Sequence, residues 1–426
     1  MTFEELEKYL YSHSNNKIIP GLERIERLLS RLGNPQDTFK AIHIVGTNGK
    51  GSTGAFISSV LKFSGYRTAF YSSPHLESRG ERLLIDGSPL SPDEWFNAAE
   101  EAVKYIYPDE DMPSYFELLT ACAFILMRQH NIDAGVIEAG LGGKLDATNT
   151  MNNIVCSVIA SISIDHTEYL GSSLEDIAGE KFAVVRNGIP ACFSGVNASL
   201  VSMFREVCTE RGAIPFVVSE QSSVKDVNIS ADGNTFAFSC PGLELPEVHT
   251  RLIGGYQVSN AALALSAVSM IMGTFKNITE ASILRGMSEA VWPGRLEVIS
   301  RAPLVVLDGG HNFDGVKKLC ASVRDLWPGK RIGVVYAAMR DKDYSGCLGL
   351  FSEYLRPKLY VTTVPGMSRA AMPDELIEAA KNFAWCNEPE GIYSPDDAIR
   401  RAVSDGNDLV LVCGSLYLVG WVKIHY

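Results

Sequence analysis

A glycine-rich segment with a central lysine is the part of the sequence best suited to hold a phosphate group. Its residues are, in order, Gly46, Thr47, Asn48, Gly49, Lys50, Gly51, Ser52 and Thr53. Glycines let the backbone turn tightly, so that consecutive N–H groups and the positive end of a following helix face an anion. The amine of Lys50 can reach the β- and γ-phosphates, and the hydroxyl of Ser52 or Thr53 can bind Mg²⁺. The segment therefore predicts a site for a nucleoside triphosphate.

The spacing of this loop differs from that of the usual P-loop, in which four residues separate the first glycine from the Gly-Lys pair. Here two residues lie between Gly46 and Gly49, and Gly51 separates Lys50 from Ser52. A glycine-rich turn without a ligand is the alternative interpretation. A lysine in the middle of the turn argues against it.

A carboxylate and an imidazole that follow strand-like segments are candidate metal ligands. Glu138 ends one such segment, and His166 follows another. Ligands gather at the carboxyl ends of parallel strands, and oxygen and imidazole ligands suit Mg²⁺ or Mn²⁺. Without further context, Glu138 could be a helix cap or a surface charge, and His166 a hydrogen-bonded polar residue. Lys181 lies on a predicted helix, where composition alone favours a solvated charge.

Two series of alternating strand-like and helix-like segments must position these residues. Strands are predicted at 41–45, 68–71, 134–137 and 154–162 in the first series, and at 304–307, 332–336, 359–361 and 409–412 in the second. Helices are predicted at about 52–63 and 115–128, and a small β segment within 217–250. This alternation favours an α/β fold with parallel sheets. Because Pro293 and Gly294 punctuate the chain between the series, we expect domains at 1–295 and 296–426.

The composition excludes several functional classes. The 426 residues are 46% hydrophobic and 21% charged, which is ordinary for a soluble globular protein. With 38 Lys and Arg against 50 Asp and Glu, the net charge is −12, so wrapping of duplex DNA is not expected. The nine scattered cysteines form no CxxC pair and predict free thiols in a reducing compartment. Since neither a signal peptide nor a membrane span is predicted, we expect a cytoplasmic protein.

The loop GTNGKGST resembles the nucleotide loop of the Mur ligase superfamily, and within it the chain resembles the folylpolyglutamate synthases, which are often also dihydrofolate synthases. The resemblance covers most of the chain and rests on eleven segments in the family's order. They are GLERIERLLSRLGNPQ (21–36), GTNGKGST (46–53), YSSPHLESRGERLLIDG (71–87), SYFELLTACAF (114–124), EAGLGGKLDATN (138–149), SIDHTEYLG (163–171), IAGEK (177–181), WPGR (292–295), LDGGHN (307–312), DKD (341–343) and CGSLYL (413–418).

The resemblance implies a P-loop parallel-sheet ATP-binding domain that also holds folate, and a smaller Rossmann-like C-terminal domain that binds glutamate. The implied activity is ATP-dependent addition of L-glutamate to a reduced folate through an acyl phosphate. The expected ligands are ATP, two Mg²⁺ ions, folate and L-glutamate. We expect a monomer, because each domain should bury its own core, and neither a nucleic acid nor a membrane as partner.

The same resemblance implies roles for residues around the loop. Ser73 and Glu138 would hold one Mg²⁺ beside the hydroxyl of Ser52, and Glu138 with His166 would hold the second. Lys181 would be carbamylated by CO₂, which turns a cation into an anion that can ligand or orient a metal.

Further along the chain, the resemblance implies contacts with nucleotide and glutamate. Asn260 would contact adenine, Arg295 the phosphates and Asp308 the nucleotide. His311 would position the incoming glutamate, and Ser415 would lie near the glutamate site.

Three positions depart from the family pattern. Tyr256 stands where His is more common, Phe182 where the pattern has Ala, and Phe313 where it usually has Pro. These departures keep open a nucleotide-binding regulator without catalysis. The other alternative is a peptidoglycan-type amino-acid ligase, although only 45 residues precede Gly46, where those enzymes usually carry a sugar-nucleotide domain. The sequence leaves open whether dihydropteroate is an acceptor, which folate form is preferred, and the length and linkage of the polyglutamate.

Overall fold

The computed structural model describes residues 2–15, 19–107 and 109–426. The chain forms two compact units. The first comprises the residues up to Val227 together with Phe236–His249 and Ser259–Ala290. The second comprises Asn228–Thr235, Thr250–Val258 and Val291–Tyr426. The second unit therefore includes two short stretches that come well before residue 291 in the chain.

Eight strands build the sheet of the first unit. They are β1 (Lys40–Val45), β2 (Thr68–Tyr71), β3 (Leu83–Ile85), β4 (Ser88–Pro89), β5 (Ala134–Glu138), β6 (Ile154–Ile159), β7 (Pro190–Phe193) and β8 (Ile214–Val217). Their order is β4-β3-β2-β5-β1-β6-β7-β8, and only β3 and β4 are antiparallel to their neighbours. Ile44 pairs with Glu138 and Val45 with Ile159, so the carboxyl ends of the three central strands meet at one edge.

Helices cover this sheet. They are α1 (Phe3–Ser12), α2 (Glu23–Arg31), α3 (Lys50–Phe63), α4 (Pro92–Val103), α5 (Tyr115–Gln129), α6 (Thr167–Leu170), α7 (Leu174–Phe182), α8 (Ala198–Arg211) and α9 (Val218–Gln221). A further helix of this unit, α11 (Glu280–Glu289), comes later in the chain, after the strands and the helix α10 described in the next paragraph. Short 3₁₀ helices lie at Pro35–Asp37, Arg79–Arg82 and Ala147–Thr150. The start of α5 shows how local sequence sets a boundary: Ser114 and Glu117 form a capping box. One apolar core includes Leu29, Trp95 and Phe124, and a second surrounds Phe182.

The predicted β segment within 217–250 is confirmed as a three-stranded sheet. Its strands are β9 (Ser223–Ser230), β10 (Gly233–Cys240) and β11 (Leu243–Thr250), in the order β11-β10-β9, and α10 (Gly255–Ile271) follows them. The predicted strand at 154–162 is too long, because β6 ends at Ile159. The backbone then leaves the strand, and the carbonyl of Ser161 accepts a hydrogen bond from the N–H of Thr47 at 2.7 Å.

The second unit has a six-stranded sheet and a set of helices. Its elements are β12 (Glu297–Arg301), β13 (Leu304–Asp308), α12 (Phe313–Leu326), β14 (Ile332–Tyr336), α13 (Tyr344–Tyr354), β15 (Lys358–Val361), α14 (Pro373–Ala380), β16 (Glu390–Gly391), α15 (Pro395–Ser404), β17 (Leu409–Cys413) and α16 (Leu416–His425). The order of the strands in the sheet is β12-β13-β17-β14-β15-β16. All neighbours are parallel except β12 with β13. The predicted α/β fold class, with one larger and one smaller parallel-sheet unit, is confirmed.

All nine cysteines are free, and seven of them are buried. Within the described parts of the chain, no helix is long and apolar enough to cross a membrane.

Candidate active site

The glycine-rich loop leaves β1 and enters α3, as the sequence predicts. Gly49 has a φ of 92°, in the left-handed region that favours glycine. A side chain at this position would clash with the Oδ1 atom of Asn260. The structure therefore places Asn260, for which the family resemblance implies a contact with adenine, directly against the loop, although Gly49 and Asn260 are far apart in the chain.

Hydrogen bonds hold the loop to the segment that follows β6. The hydroxyl of Thr47 donates to the carbonyl of Ser163 at 3.0 Å and accepts from its N–H at 3.1 Å. The hydroxyl of Ser161 donates to the carbonyl of Asn48 at 3.0 Å. The side chain of Thr47 thus anchors the loop to the segment that follows β6.

Two lysines converge on one carbonyl oxygen of the loop. Lys50 Nζ donates to Gly46 O at 3.1 Å, and Lys181 Nζ donates to the same oxygen at 3.0 Å. Lys50 Nζ also lies 3.7 Å from Glu138 Oε1. The arrangement puts two cations and one carboxylate at the edge where β1 and β5 end.

Lys181 is buried, with 3% of its surface exposed, so the composition-based interpretation as a solvated charge is wrong. The reason lies in the neighbouring residue: Phe182 packs against Phe193 and Phe204, at ring-centroid distances of 5.3 and 5.4 Å, and draws the last turn of α7 onto the sheet. Burial first, and the charge of Lys50 second, lower the pKa of Lys181 to about 7 against the opposing effect of nearby carboxylates.

The predicted metal ligands follow different strands of the same sheet. Glu138 is the last residue of β5 and is 5% exposed, and Ser52 is buried in the first turn of α3. Ser73 follows β2 and is half-buried. His166 precedes α6 in the segment after β6, and 42% of its side chain is exposed.

The predicted metal ligands suit Mg²⁺ better than a metal ion whose ligands all come from protein side chains. Among the described residues, no three His, Cys, Asp or Glu side chains form a cluster that could hold a metal ion. Mg²⁺ commonly takes only one or two carboxylates and completes its shell with water and substrate phosphates. The buried carboxylate of Glu138, 3.7 Å from Lys50 of the loop, meets that requirement. Thr53 Oγ1 is also buried, and no hydrogen-bond partner is found for it among residues 2–15, 19–107 and 109–426.

In the second unit, Asp308 is a buried anchor for the turn that carries Arg295. Its carboxylate accepts hydrogen bonds from Tyr256 Oη at 2.9 Å, from Leu296 N at 2.9 Å and from Gly310 N at 2.7 Å. Burial raises the pKa of Asp308, and Arg295 opposes that shift. Tyr256, at a position where the family more often has His, therefore supplies a hydrogen-bond donor to Asp308.

His311 and Ser415 follow the neighbouring strands β13 and β17, whose last residues Asp308 and Cys413 are paired. His311 Nδ1 lies 2.9 Å from Gly309 O. The hydroxyl of Ser415 accepts from Tyr417 N at 3.2 Å and caps α16. Both side chains therefore also have local structural contacts, and their proposed roles toward glutamate stay predictions.

One buried polar network was not predicted from the sequence. His43 Nε2 lies 2.8 Å from Thr148 Oγ1, which donates to Asp146 Oδ1 at 2.6 Å. The available signal was a histidine in the otherwise apolar segment 41–45.

Comparison with known proteins gives matches over nearly the whole chain. Residues 44–268 match the Mur ligase middle domain, and residues 294–416 match the Mur ligase glutamate ligase domain. The chain is 31% identical to a dihydrofolate synthase/folylpolyglutamate synthase of Bacillus subtilis, over 99% of this chain and 98% of that protein.

Two solved structures extend the comparison to bound molecules. Escherichia coli FolC in complex with DHPP and ADP matches with a TM-score of 0.87 and 28% identity, over 100% of this chain and 97% of that one. A bifunctional folylpolyglutamate synthase/dihydrofolate synthase with Mn, AMPPNP and L-glutamate bound matches with a TM-score of 0.86 and 27% identity, over 100% and 98%.

Proposed function

The chain belongs to the Mur ligase family and, within it, to the folylpolyglutamate and dihydrofolate synthases, and from that membership we propose that it joins L-glutamate to a folate-type acceptor at the expense of ATP. It is an ATP-dependent ligase that forms an amide bond. The observation that carries the proposal is the convergence of Lys50, Glu138 and Lys181 at the loop between β1 and α3. The matches to folate enzymes favour this function over a peptidoglycan-type ligase and over a non-catalytic regulator.

The loop would bind the triphosphate of ATP. Its backbone N–H groups and the start of α3 offer donors and a positive potential to the phosphates. Lys50, which donates to Gly46 O at 3.1 Å, would turn its amine toward the phosphates. Asn260 supports a nucleotide site here because its amide group lies against Gly49.

Divalent metal use is proposed from the same residues, with two Mg²⁺ ions as the finer prediction. Ser52, Ser73 and Glu138 would hold one ion, and Glu138 with His166 the other. Bound Mg²⁺ neutralises phosphate oxygens and so lowers the barrier to phosphoryl transfer. Support comes from the buried carboxylate of Glu138, which has the ammonium group of Lys50 at 3.7 Å.

Carbamylation of Lys181 is the second finer proposal. The neutral amine would attack CO₂, forming a carbamate and releasing one proton. A pKa near 7 keeps a large share of the amine in the reactive neutral form. The product anion would replace repulsion from Lys50 with attraction, which favours the modified state electrostatically.

The residues of the second unit would complete the reaction. We propose residues 1–295 as the ATP and folate domain and 296–426 as the glutamate domain. Arg295 would contact the phosphates, and Asp308 would meet the nucleotide or hold the turn of Arg295. His311 and Ser415 would position the amine of glutamate for attack on the acyl phosphate, which releases phosphate. Exclusion of water would protect the acyl phosphate from hydrolysis.

The function is tested with purified protein, ATP, labelled L-glutamate and either dihydropteroate or tetrahydrofolate. We expect ADP release that requires both glutamate and an acceptor, and label in the folate product. Incorporation with dihydropteroate identifies dihydrofolate synthesis, and incorporation with tetrahydrofolate identifies chain extension. ADP release that depends on neither glutamate nor the acceptor would refute the proposal.

A cytoplasmic location stays a prediction.

The site residues are tested by Lys50→Ala, Glu138→Ala and His166→Ala. Because each removes a proposed phosphate or metal contact, glutamate-dependent ADP release should fall at least about a hundredfold. Lys62→Ala is the matched control, since Lys62 is an exposed lysine of the same helix as Lys50. Circular dichroism should show an unchanged fold. Near-normal turnover in all three variants would contradict the site assignment.

A further inference from the structure

The buried histidine of β1 begins a directed chain of hydrogen bonds. His43 is 0% exposed, and its Nε2 lies 2.8 Å from Thr148 Oγ1. The Thr148 hydroxyl has a single proton, and it donates that proton to the carboxylate of Asp146 at 2.6 Å. The proton on the imidazole must therefore be on Nε2, which donates to Thr148. The chain of bonds runs from the centre of the sheet to the loop after β5.

Asp146 closes that loop. Its Oδ2 accepts from Leu141 N at 2.8 Å, and its Oδ1 accepts from Thr148 N at 3.0 Å. The loop starts directly after Glu138, and its other side lies on α7, where Lys144 N donates to Glu180 O at 2.9 Å. The loop held by Asp146 thus connects the end of β5 with the helix that carries Lys181.

Stability alone does not favour a histidine at this position. His43 Nδ1 is buried, and the described part of the chain offers it no hydrogen-bond partner. A buried polar atom without a partner lowers the stability of the folded chain. Burial lowers the pKa of His43 to about 3, so the ring is neutral near pH 7 and is not a proton donor to substrate. Since the other residues of β1 from Ala41 to Val45 are apolar, a residue that weakens the core points to a role in function.

We infer that His43 is a positioning residue for the ligase reaction: its Nε2–H holds Thr148, which holds Asp146 and so fixes the loop between Glu138 and α7. The inference rests on the proposed function, because Glu138 and Lys181 are the proposed reactive-site groups that the loop joins. His43 itself acts only through the residues it holds.

Three variants separate this role from a purely structural one. His43→Leu removes both the donor and the unpartnered Nδ1, His43→Gln keeps an N–H donor, and Thr148→Val removes the hydroxyl at nearly constant shape. The measurements are kcat and KM for ATP in glutamate-dependent ADP release, together with Tm. For His43→Leu we expect a Tm at or above that of the unmodified protein and a kcat about tenfold lower, with an unchanged KM for ATP.

The conservative and double variants supply the controls. His43→Gln should recover most of kcat, and His43→Leu combined with Thr148→Val should be no slower than Thr148→Val alone, because both break one chain of bonds. A His43→Leu variant with a lower Tm and normal kcat would overturn the inference, as would additive losses in the double variant. If the unmodified protein shows no glutamate-dependent activity, the proposed function is refuted together with the inference. If the unmodified protein is active but the variants contradict the expectations above, only the inference about His43 is refuted.

Discussion

The lysine pair at the phosphate loop shows how position changes the chemistry of a side chain. Lys50 and Lys181 both donate to Gly46 O, so two ammonium groups lie close together. Burial and, to a smaller extent, repulsion from Lys50 lower the pKa of Lys181 to about 7. Because desolvation penalises the charged form, a lysine in this place is suited to react as a neutral amine.

This shift predicts a pH dependence of stability. The pKa of Lys181 is about 7 in the folded chain against an ordinary value of 10.5, so between these values the unfolded chain binds more protons. The free energy of unfolding should therefore rise with pH across that window, by at most about 1.4 kcal/mol per pH unit. Lys181→Met should flatten the rise in denaturant titrations in CO₂-free buffer.

Lys144→Met is the matched control, because Lys144 lies on the neighbouring loop with its side chain exposed. It should keep the slope of the unmodified protein. If the Lys181→Met variant and the unmodified protein have equal slopes, the pKa of Lys181 is not lowered in the folded chain.

At the scale of elements, the turn between β1 and α3 depends on glycine at one particular place. Gly49 combines a left-handed φ of 92° with close approach of Asn260 from α10. Gly65, beyond the other end of α3, has a similar φ of 82°, but a Cβ added there would meet no atom of the described residues within 4 Å. A side chain at Gly65 would therefore cause backbone strain alone, whereas a side chain at Gly49 would cause both backbone strain and a clash with Asn260.

Alanine substitutions at these glycines give a sharp prediction. Gly65→Ala should cost only the backbone strain, about 1 kcal/mol of unfolding free energy. Gly49→Ala should cost more and should also weaken nucleotide binding, because the loop must move away from Asn260. Thermal unfolding and titration with ADP measure both effects. Equal losses of stability with unchanged ADP binding would contradict the assigned role of Gly49.

For the whole molecule, the distribution of apolar residues predicts the oligomeric state. The first unit buries Trp95 and Phe124 in one core and Phe182 in another, and the second unit buries Tyr336 and Phe351 in its own. Because each unit has its own core, neither requires a second copy to bury apolar surface. Light scattering after size exclusion should give a mass near 46.5 kDa, and a value of twice that would show a dimer.

Much of the fold and part of the site could be predicted from local sequence. The strand–helix alternation, the phosphate loop and the start of α5 depend on residues that are neighbours in the chain, through side-chain periodicity, glycine conformation and capping. The end of β6 was predicted wrongly, because it is set by the hydrogen bond from Thr47 N to Ser161 O rather than by the apolar run itself.

The amino-acid sequence by itself determined the alternation of strands and helices and the glycine-rich turn between β1 and α3, since those properties follow from short-range backbone conformation. Only the tertiary structure decided that Lys181 is buried beside Lys50, that Asn260 lies against Gly49, and that Asp308 accepts from Tyr256. The same holds for the bonds from His43 through Thr148 to Asp146. The partners in these contacts are distant in the chain, apart from Thr148 and Asp146. Sheet order and helix packing bring them together, and burial then changes their pKa values and hydrogen bonds.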